Sequence, residues 1–331
     1  MMTTMIKLKK TLQPVVRGDK IVFGLEQEGL ERVLENTEDN IKLLKYMNGE
    51  IEESALNLNK EELEEKINSL KYQGLLTINH YGKKGRYSRN INFFEWIDTS
   101  DNINPNVYQE KIVSSHILIV GLGGIGANVC EILVRMGVGT LTIVDNDTVD
   151  ESNITRQGTY FESDIGKYKA EVVESYLKRI NKNVSINMIN KYISTKEDLK
   201  NLFEGYSFDL SICCADTPKY IIDTWFDELS IEFNRPFVSG SYASTVINTF
   251  CMHPEKTITS SELYGGHGAT REQLLTNLSV PTSVIAPVTF LAAGLISYQT
   301  QCVITGLNYK PEAVQIDVFN WGAYKYDLSK K

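Results

Sequence analysis

From residue 115 onward, short apolar runs alternate regularly with amphipathic segments. The apolar runs have the length of buried strands, and the segments between them carry apolar residues at the spacing of one helix face. This alternation predicts a doubly wound α/β domain built on a mostly parallel sheet. The predicted strands are 116–120, 140–144, 184–189, 208–213, 236–239, 245–251, 313–319 and 322–327, and the predicted helices are 126–136, 167–180, 195–203, 218–233 and 287–303.

The first eighty residues follow a different pattern, in which short strands precede two helices and one strand closes the segment. Asn59 can cap the second helix, because Glu62 stands three residues later in the capping-box position. We predict a small winged-helix module over residues 1–80; the alternative is an N-terminal extension that packs on the main domain. The module's predicted elements are strands 14–17 and 21–23 around the Gly18-Asp19 turn, helix 38–47, a helix from Asn59 to Gly74, and strand 75–78.

Two further segments lack a regular apolar pattern. Residues 81–114 are predicted to link the module to the main domain at 115–331, and the basic stretch 81–90 is expected to be flexible. Residues 253–285 are polar and contain glycines, which predicts a long mobile loop. Loops of such length are commonly functional or disordered.

The composition excludes several classes of protein. The chain has 331 residues, enough for about two domains. Its net charge of −8 argues against a general nucleic-acid binder, which needs clustered Lys and Arg. The chain contains no run of eighteen or more apolar residues, so no membrane span is predicted. The N-terminal sequence also lacks secretory-signal features, and we therefore expect a cytoplasmic protein. The five cysteines include no CxxC pair, which makes a disulfide framework or a cysteine-rich zinc site improbable.

A glycine-rich run follows the first strand of the main domain. Its sequence, Gly121-Leu-Gly-Gly-Ile-Gly126, permits a tight turn and brings backbone N–H groups close to a phosphate at a helix N-terminus. Asp145 closes the next predicted strand, where an acidic side chain can bind ribose hydroxyls. These features predict a Rossmann-like nucleotide site, and by themselves they fit a dehydrogenase equally well. The glycines concerned are Gly121, Gly123, Gly124 and Gly126.

The residues after Asp145 favour chemistry at phosphate over hydride transfer. Arg156 and Lys169 would lie near the phosphates, and phosphoryl or nucleotidyl transfer needs cations there because charge builds on the phosphate oxygens. Asp216 follows strand 208–213, at the edge of the sheet where ligands bind, and a carboxylate there suits Mg²⁺. Taken singly, Arg156, Lys169 and Asp216 are each better explained as ordinary surface or helix-capping side chains. The prediction therefore depends on the placement of all three around one nucleotide. Asp147, Asn153 and Gln157 complete the predicted set.

Together these motifs resemble the ThiF/MoeB family, the bacterial relatives of ubiquitin-activating enzymes. The resemblance covers residues 86–320 and includes Arg86-Tyr-Ser-Arg89-Asn, which is similar to the family's RYxRQ-type segment. The N-terminal module resembles the peptide clamp of microcin C-type peptide nucleotidyltransferases. Such clamps are a form of RiPP recognition element, which binds a precursor peptide by adding it as a strand.

The resemblance implies an ATP-dependent adenylyltransferase that activates a peptide carboxylate and releases pyrophosphate, as in the maturation of peptide antibiotics. It places Asp145 on the ribose, and Asn153, Arg156, Gln157 and Lys169 around the phosphates. Asp216 would bind Mg²⁺. Arg89 would reach the phosphates of the other subunit of a homodimer, so residues 81–114 would also form a dimer contact. The short precursor peptide would bind the N-terminal domain.

The sequence departs from the family in its cysteines. Most relatives hold a structural zinc with two CxxC pairs, which this chain lacks, so we expect no zinc site. Cys213 and Cys214 belong to a predicted buried strand and are expected to be inert, and Cys251 is at best a weak thioester candidate. His267, in the long loop, is interpreted as a solvated residue outside the site.

Other functions remain open at this point. The protein could activate a ubiquitin-like sulfur carrier, although the N-terminal module argues against this. It could also be a non-catalytic peptide-binding partner, although the intact Arg156, Lys169 and Asp216 argue against a decayed site. CTP could replace ATP, and the acyl-nucleotide could be the product or an intermediate.

Overall fold

The computed structural model describes residues 6–25, 27–82, 85–219, 221–263 and 282–330. The chain forms two compact units, residues 1–111 and residues 112–331. The first contains the predicted N-terminal module together with much of the predicted linker, and the second contains the predicted main domain.

The first unit combines two small antiparallel sheets with helices. Strands β2, β3 and β4 pair in that order, and β1 pairs with β5. Helix α1 has the predicted bounds, whereas β4 was not predicted; the winged-helix assignment itself stays a prediction. The elements are β1 (Lys7–Leu8), β2 (Val15–Arg17), β3 (Lys20–Phe23), β4 (Arg32–Glu35), α1 (Glu38–Met47), α2 (Lys60–Tyr72), β5 (Leu76–Thr77), α3 (Ser88–Ile97) and α4 (Asn106–Ser114), which contains the boundary.

Local sequence explains where α2 begins and which face it buries. Asn59 accepts a hydrogen bond from the Glu62 N–H, and the Glu62 side chain accepts one from the Asn59 N–H, which completes the predicted capping box. Leu63 and Leu70 then lie on the buried face, in a core that includes Phe23. The apolar spacing and the cap therefore act together to fix this helix.

A buried polar cluster holds α3 in the first unit. The Glu95 carboxylate is fully buried and accepts hydrogen bonds from the hydroxyls of Thr11 and Thr77, both at 2.7 Å, and from the Tyr81 hydroxyl at 2.5 Å. Lys9 Nζ is also buried and donates to the Asp98 carbonyl oxygen at 3.1 Å, and burial lowers its pKa. Residues 88–97, assigned to a linker by sequence, are therefore a helix with buried partners.

The second unit has an eight-stranded sheet with helices packed against it, which confirms the predicted doubly wound α/β fold. Its order is β13-β12-β11-β10-β9-β6-β7-β8; the strands from β10 to β8 run parallel, and β11, β12 and β13 are antiparallel. The elements are β6 (His116–Val120), α5 (Gly126–Met136), β7 (Thr140–Val144), α6 (Lys169–Ile180), β8 (Ser185–Ile189), α7 (Lys196–Gly205), β9 (Leu210–Cys213), α8 (Ile222–Phe233), β10 (Phe237–Ala243), β11 (Val246–Met252), α9 (Ser260–Leu263), α10 (Ala286–Thr305), β12 (Glu312–Asp317) and β13 (Gly322–Asp327).

Helix α10 is long and apolar enough to cross a membrane by length and composition. More than half of that apolar stretch, 56%, is buried inside the protein, as is typical of a core helix. The predicted loop 253–285 contains the short helix α9 near its start. The rest of that prediction, including His267, lies mostly outside the described residues.

Candidate functional site

The segment from Gly121 to Gly126, here called the glycine loop, lies at the point where the order of parallel strands reverses. Strand β6 has β7 on one side and β9 on the other, and ligands of open α/β sheets bind at such switch points. Gly121 has φ of +94°, and a Cβ there would lie 2.7 Å from the Cys214 carbonyl carbon. A Cβ on Gly126 would lie 1.9 Å from the Gly121 oxygen. Only glycine therefore fits these two positions.

Asp145 braces this loop. Its carboxylate accepts hydrogen bonds from the Leu122 N–H at 2.6 Å and from the Asp147 N–H at 2.8 Å. Burial raises the pKa of Asp145, although these N–H groups and Lys169 oppose the rise. Each carboxylate oxygen has a second lone pair, so the group can still accept a ribose hydroxyl.

Arg156 lies beside the loop with part of its hydrogen-bonding capacity unused. Its Nη1 donates to the Ser152 carbonyl oxygen at 2.7 Å, and its Nε is 3.8 Å from the point where a Gly124 Cβ would stand. Arg156 Nε and Gln157 Oε1 are buried and have no hydrogen-bond partner among the described residues. Buried polar atoms are normally paired, so Arg156 has an unused donor and Gln157 an unused acceptor. A nucleotide offers a match for each, because its phosphate oxygens accept from a guanidinium and its hydroxyl or amino groups can donate to an amide oxygen.

Lys169 is the first residue of α6 and is buried with its charge paired. Its Nζ lies 2.8 Å from Asp147 Oδ2; 8% of the Lys169 side chain is exposed against 61% for Asp147. A cation at a helix N-terminus opposes the helix dipole, so this placement is unfavourable without an anion nearby. Asp147 supplies one anion, and a phosphate could supply another.

The remaining predicted residues have different settings. Asn153 uses its side-chain oxygen to accept from the Asp150 N–H at 3.0 Å, so it stabilises the turn before Arg156. Asp216 is exposed just after β9. Arg89 is exposed on α3 of the first unit. No cluster of three or more metal-binding side chains occurs within the described ranges. Mg²⁺ is commonly bound by one or two carboxylates together with substrate phosphates and water.

Three buried side chains at the site escaped the sequence analysis. The Tyr160 hydroxyl donates to the Leu122 carbonyl oxygen at 2.7 Å. The amide of Asn128 joins the loop to the segment after Arg156, and the hydroxyl of Thr289 bonds the Arg156 carbonyl oxygen. The sequence offered one signal for these three residues, which is Asn128 within an apolar helix, because Asn is disfavoured in helix interiors.

The cysteine thiols should react slowly in the native protein. Burial raises the pKa of Cys214 and Cys251 to about 12 and that of Cys302 to about 11, and it also raises the pKa of Cys130 and Cys213. At pH 8 a thiol with a pKa of 12 is thiolate in roughly one molecule in 10⁴. We expect iodoacetamide to label none of them while it labels all five in guanidinium, as mass spectrometry would measure. Rapid labelling of one native thiol, with loss of activity, would indicate a reactive cysteine instead.

The glycine loop and the strand order define a Rossmann-type α/β protein, and the nearby cations Arg156 and Lys169 are compatible with a nucleotide-binding site. The chain matches the ThiF family over residues 87–328, and it belongs to that family.

Curated relatives match less than half of the chain. The adenylyltransferase and sulfurtransferase UBA4 of Meyerozyma guilliermondii is 40% identical over 136 residues, which is 40% of this chain and 30% of that protein. A tRNA threonylcarbamoyladenosine dehydratase of Haemophilus influenzae is 37% identical over 98 residues, which is 30% of this chain and 38% of that protein. The matches span about a third of the length of these relatives.

Solved structures match nearly the whole chain. The structure of E. coli MccB with AMPCPP and MccA has a TM-score of 0.80 and 22% identity, and the match covers 98% of this chain and 97% of that one. The structure of PaaA has a TM-score of 0.76 and 21% identity, with 97% and 100% covered. At this identity, the likeness shows a shared fold that includes both units.

Proposed function

We propose that this protein activates a carboxylate of a ribosomally made peptide as an acyl-adenylate, with ATP as the nucleotide donor. The observation that carries this proposal is the pair of unpartnered buried atoms, Arg156 Nε and Gln157 Oε1, beside a glycine loop at the sheet's switch point. The full-length fold match to MccB, solved with AMPCPP and MccA, supports a peptide as the acceptor.

The reaction needs no general base. A peptide carboxylate is already an anion at pH 7; one of its oxygens attacks the α-phosphorus, and the bond from that phosphorus to the bridging oxygen of the pyrophosphate breaks. Catalysis then consists of placing two anions together and neutralising their repulsion. Arg156 and Lys169 supply fixed positive charge, Asp145 orients the ribose, and Asp216 would hold Mg²⁺, which neutralises phosphate charge when bound.

The first unit is proposed to hold the peptide. Strands β2 and β4 are the two edges of its three-stranded sheet, and an edge strand can accept an extended peptide through backbone hydrogen bonds. Val16 on β2 and Val33 on β4 are 60% and 40% exposed, so either edge offers apolar contacts. We also propose that the enzyme is a cytoplasmic homodimer in which Arg89 serves the partner's nucleotide.

A second candidate is activation of a ubiquitin-like sulfur carrier. The observation that favours it is the 40% identity to UBA4, which is higher than the identity to MccB but confined to 136 residues. The two functions differ in what the first unit does, because a sulfur carrier would not need a strand-adding peptide site.

ATP–pyrophosphate exchange tests the proposal and separates the candidates. We expect exchange of labelled pyrophosphate into ATP only when a short peptide encoded beside this gene is present, with AMP covalently attached to a peptide carboxyl by mass spectrometry. Exchange that requires a folded ubiquitin-like protein would support the second candidate. The complete absence of both exchange and ATP binding would contradict both enzymatic functions.

A further inference from the structure

One buried amide connects the glycine loop to the segment that carries Arg156. Asn128 is 2% exposed in the first turn of α5. Its Nδ2 donates to the Gly124 carbonyl oxygen at 2.9 Å, and its Oδ1 accepts from the Gly158 N–H at 3.0 Å. A single side chain therefore sets the separation between the loop and the backbone that follows Arg156.

A second side chain holds the same segment from α10. The Thr289 hydroxyl is fully buried, and its single proton is shared between the Arg156 carbonyl oxygen at 2.9 Å and the Ala286 carbonyl oxygen, in its own helix, at 3.0 Å. Asn128 Nδ2 lies 3.5 Å from that same oxygen. The Arg156 backbone is thus fixed from α5 and from α10 at once.

These backbone contacts matter because the Arg156 guanidinium makes few hydrogen bonds of its own. Its Nη1 bonds one carbonyl oxygen, and its Nε has no partner in the described part of the chain. The position of a long, flexible side chain then depends on the position of its backbone. A misplacement of about 1 Å can cost about 10²-fold in rate.

The residue type at position 128 supports a role beyond packing. Its neighbours Ala127 and Val129 are fully buried, and Ala or Leu would be the better helix former at this point. An amide offers a donor and an acceptor in one plane, and both are used here. Its two bonds reach separate segments, which an apolar residue could not connect.

We propose that Asn128 and Thr289 are positioning residues that hold the Arg156 guanidinium at the α-phosphate, without touching the nucleotide themselves. This inference rests on the proposed nucleotidyl transfer. It adds two residues, on two different helices, that determine the rate of the chemical step and not the affinity for ATP.

Isosteric substitutions test this role. In Asn128→Leu and Thr289→Val we expect kcat for pyrophosphate exchange to fall about 30- to 100-fold, while the Kd for ATP changes by less than about threefold. Thr289→Ser keeps the hydroxyl and should restore most of the rate. Asn187→Leu is the matched control: its amide donates to the Thr142 hydroxyl at 3.1 Å, away from the loop, and should leave kcat unchanged.

A readout independent of turnover separates this inference from the proposed function. In protein labelled with ¹⁵N-arginine, the Arg156 Nε–H signal, assigned by its loss in Arg156→Lys, should broaden or shift in Asn128→Leu and Thr289→Val but not in Asn187→Leu. If the wild type exchanges no pyrophosphate with any peptide, the proposed function fails while this signal still tests the positioning. If Asn128→Leu and Thr289→Val left this signal unchanged, or raised the Kd for ATP with kcat unchanged, the proposed positioning role would be wrong.

Discussion

Replacing Arg156 with alanine is expected to lower the rate of ATP–pyrophosphate exchange by about 10³-fold. The guanidinium lies beside Gly124 with its Nε buried and unpartnered in the described chain, so its charge and one donor are available to a phosphate. Negative charge grows on the α-phosphate as the carboxylate attacks, and Arg156 would neutralise part of that charge. The peptide should bind as before, as isothermal titration calorimetry would measure.

Arg135→Ala is the control for this substitution. Arg135 lies on α5 in the same unit, its side chain is 58% exposed, and it pairs with Glu131 at 2.7 Å. Its removal should change exchange by less than twofold, because an exposed pair contributes little. If Arg156→Ala slowed exchange no more than Arg135→Ala does, Arg156 would have no role in the chemistry.

Gly126→Ala is expected to abolish ATP binding and to lower the melting temperature. The new Cβ would lie 1.9 Å from the Gly121 oxygen and 3.1 Å from the Cys214 Cβ. The first of these neighbours is backbone, so the loop must move as a whole. The N–H groups at the start of α5 would then no longer converge on the phosphates. Calorimetry with ATP and a thermal melt measure the two effects.

Gly123 provides the matched control within the same loop. A Cβ at Gly123 would meet no atom within 4 Å, and its φ lies outside the left-handed region. Gly123→Ala should therefore keep its melting temperature. Normal ATP binding by Gly126→Ala, measured beside this control, would mean that the loop does not cradle the nucleotide.

The parts of the fold set by local sequence could be predicted, and those set by distant partners could not. The cap at Asn59 and the run from β6 through α5 to β7 follow from spacing and glycine placement alone. Strand β4 was missed because four residues without alternation gain their strand character only by pairing with β3. Helix α3 was assigned to a linker because the partners of Glu95 lie as far as 84 residues away.

The candidate site also contains residues that local sequence identifies and residues that only distant contacts reveal. The glycines, Asp145 and Arg156 stand in one stretch whose spacing indicates a nucleotide, so they could be identified from sequence. Thr289 could not, and Asn128 offered only the signal of an amide within an apolar helix, because both bond backbone atoms, which any residue type supplies. Those atoms belong to positions 30 and 133 residues away in the chain.

The buried Glu95 carboxylate limits how this chain can be divided. A fragment that starts near residue 81 would keep Glu95 but lose the hydroxyls of Thr11 and Thr77. A fragment that ends there would leave those hydroxyls without their acceptor. Leaving a buried hydrogen-bonding group without its partner typically costs about 1–3 kcal/mol. If the N-terminal strands were moved to another protein, by evolution or by engineering, α3 would therefore have to move with them.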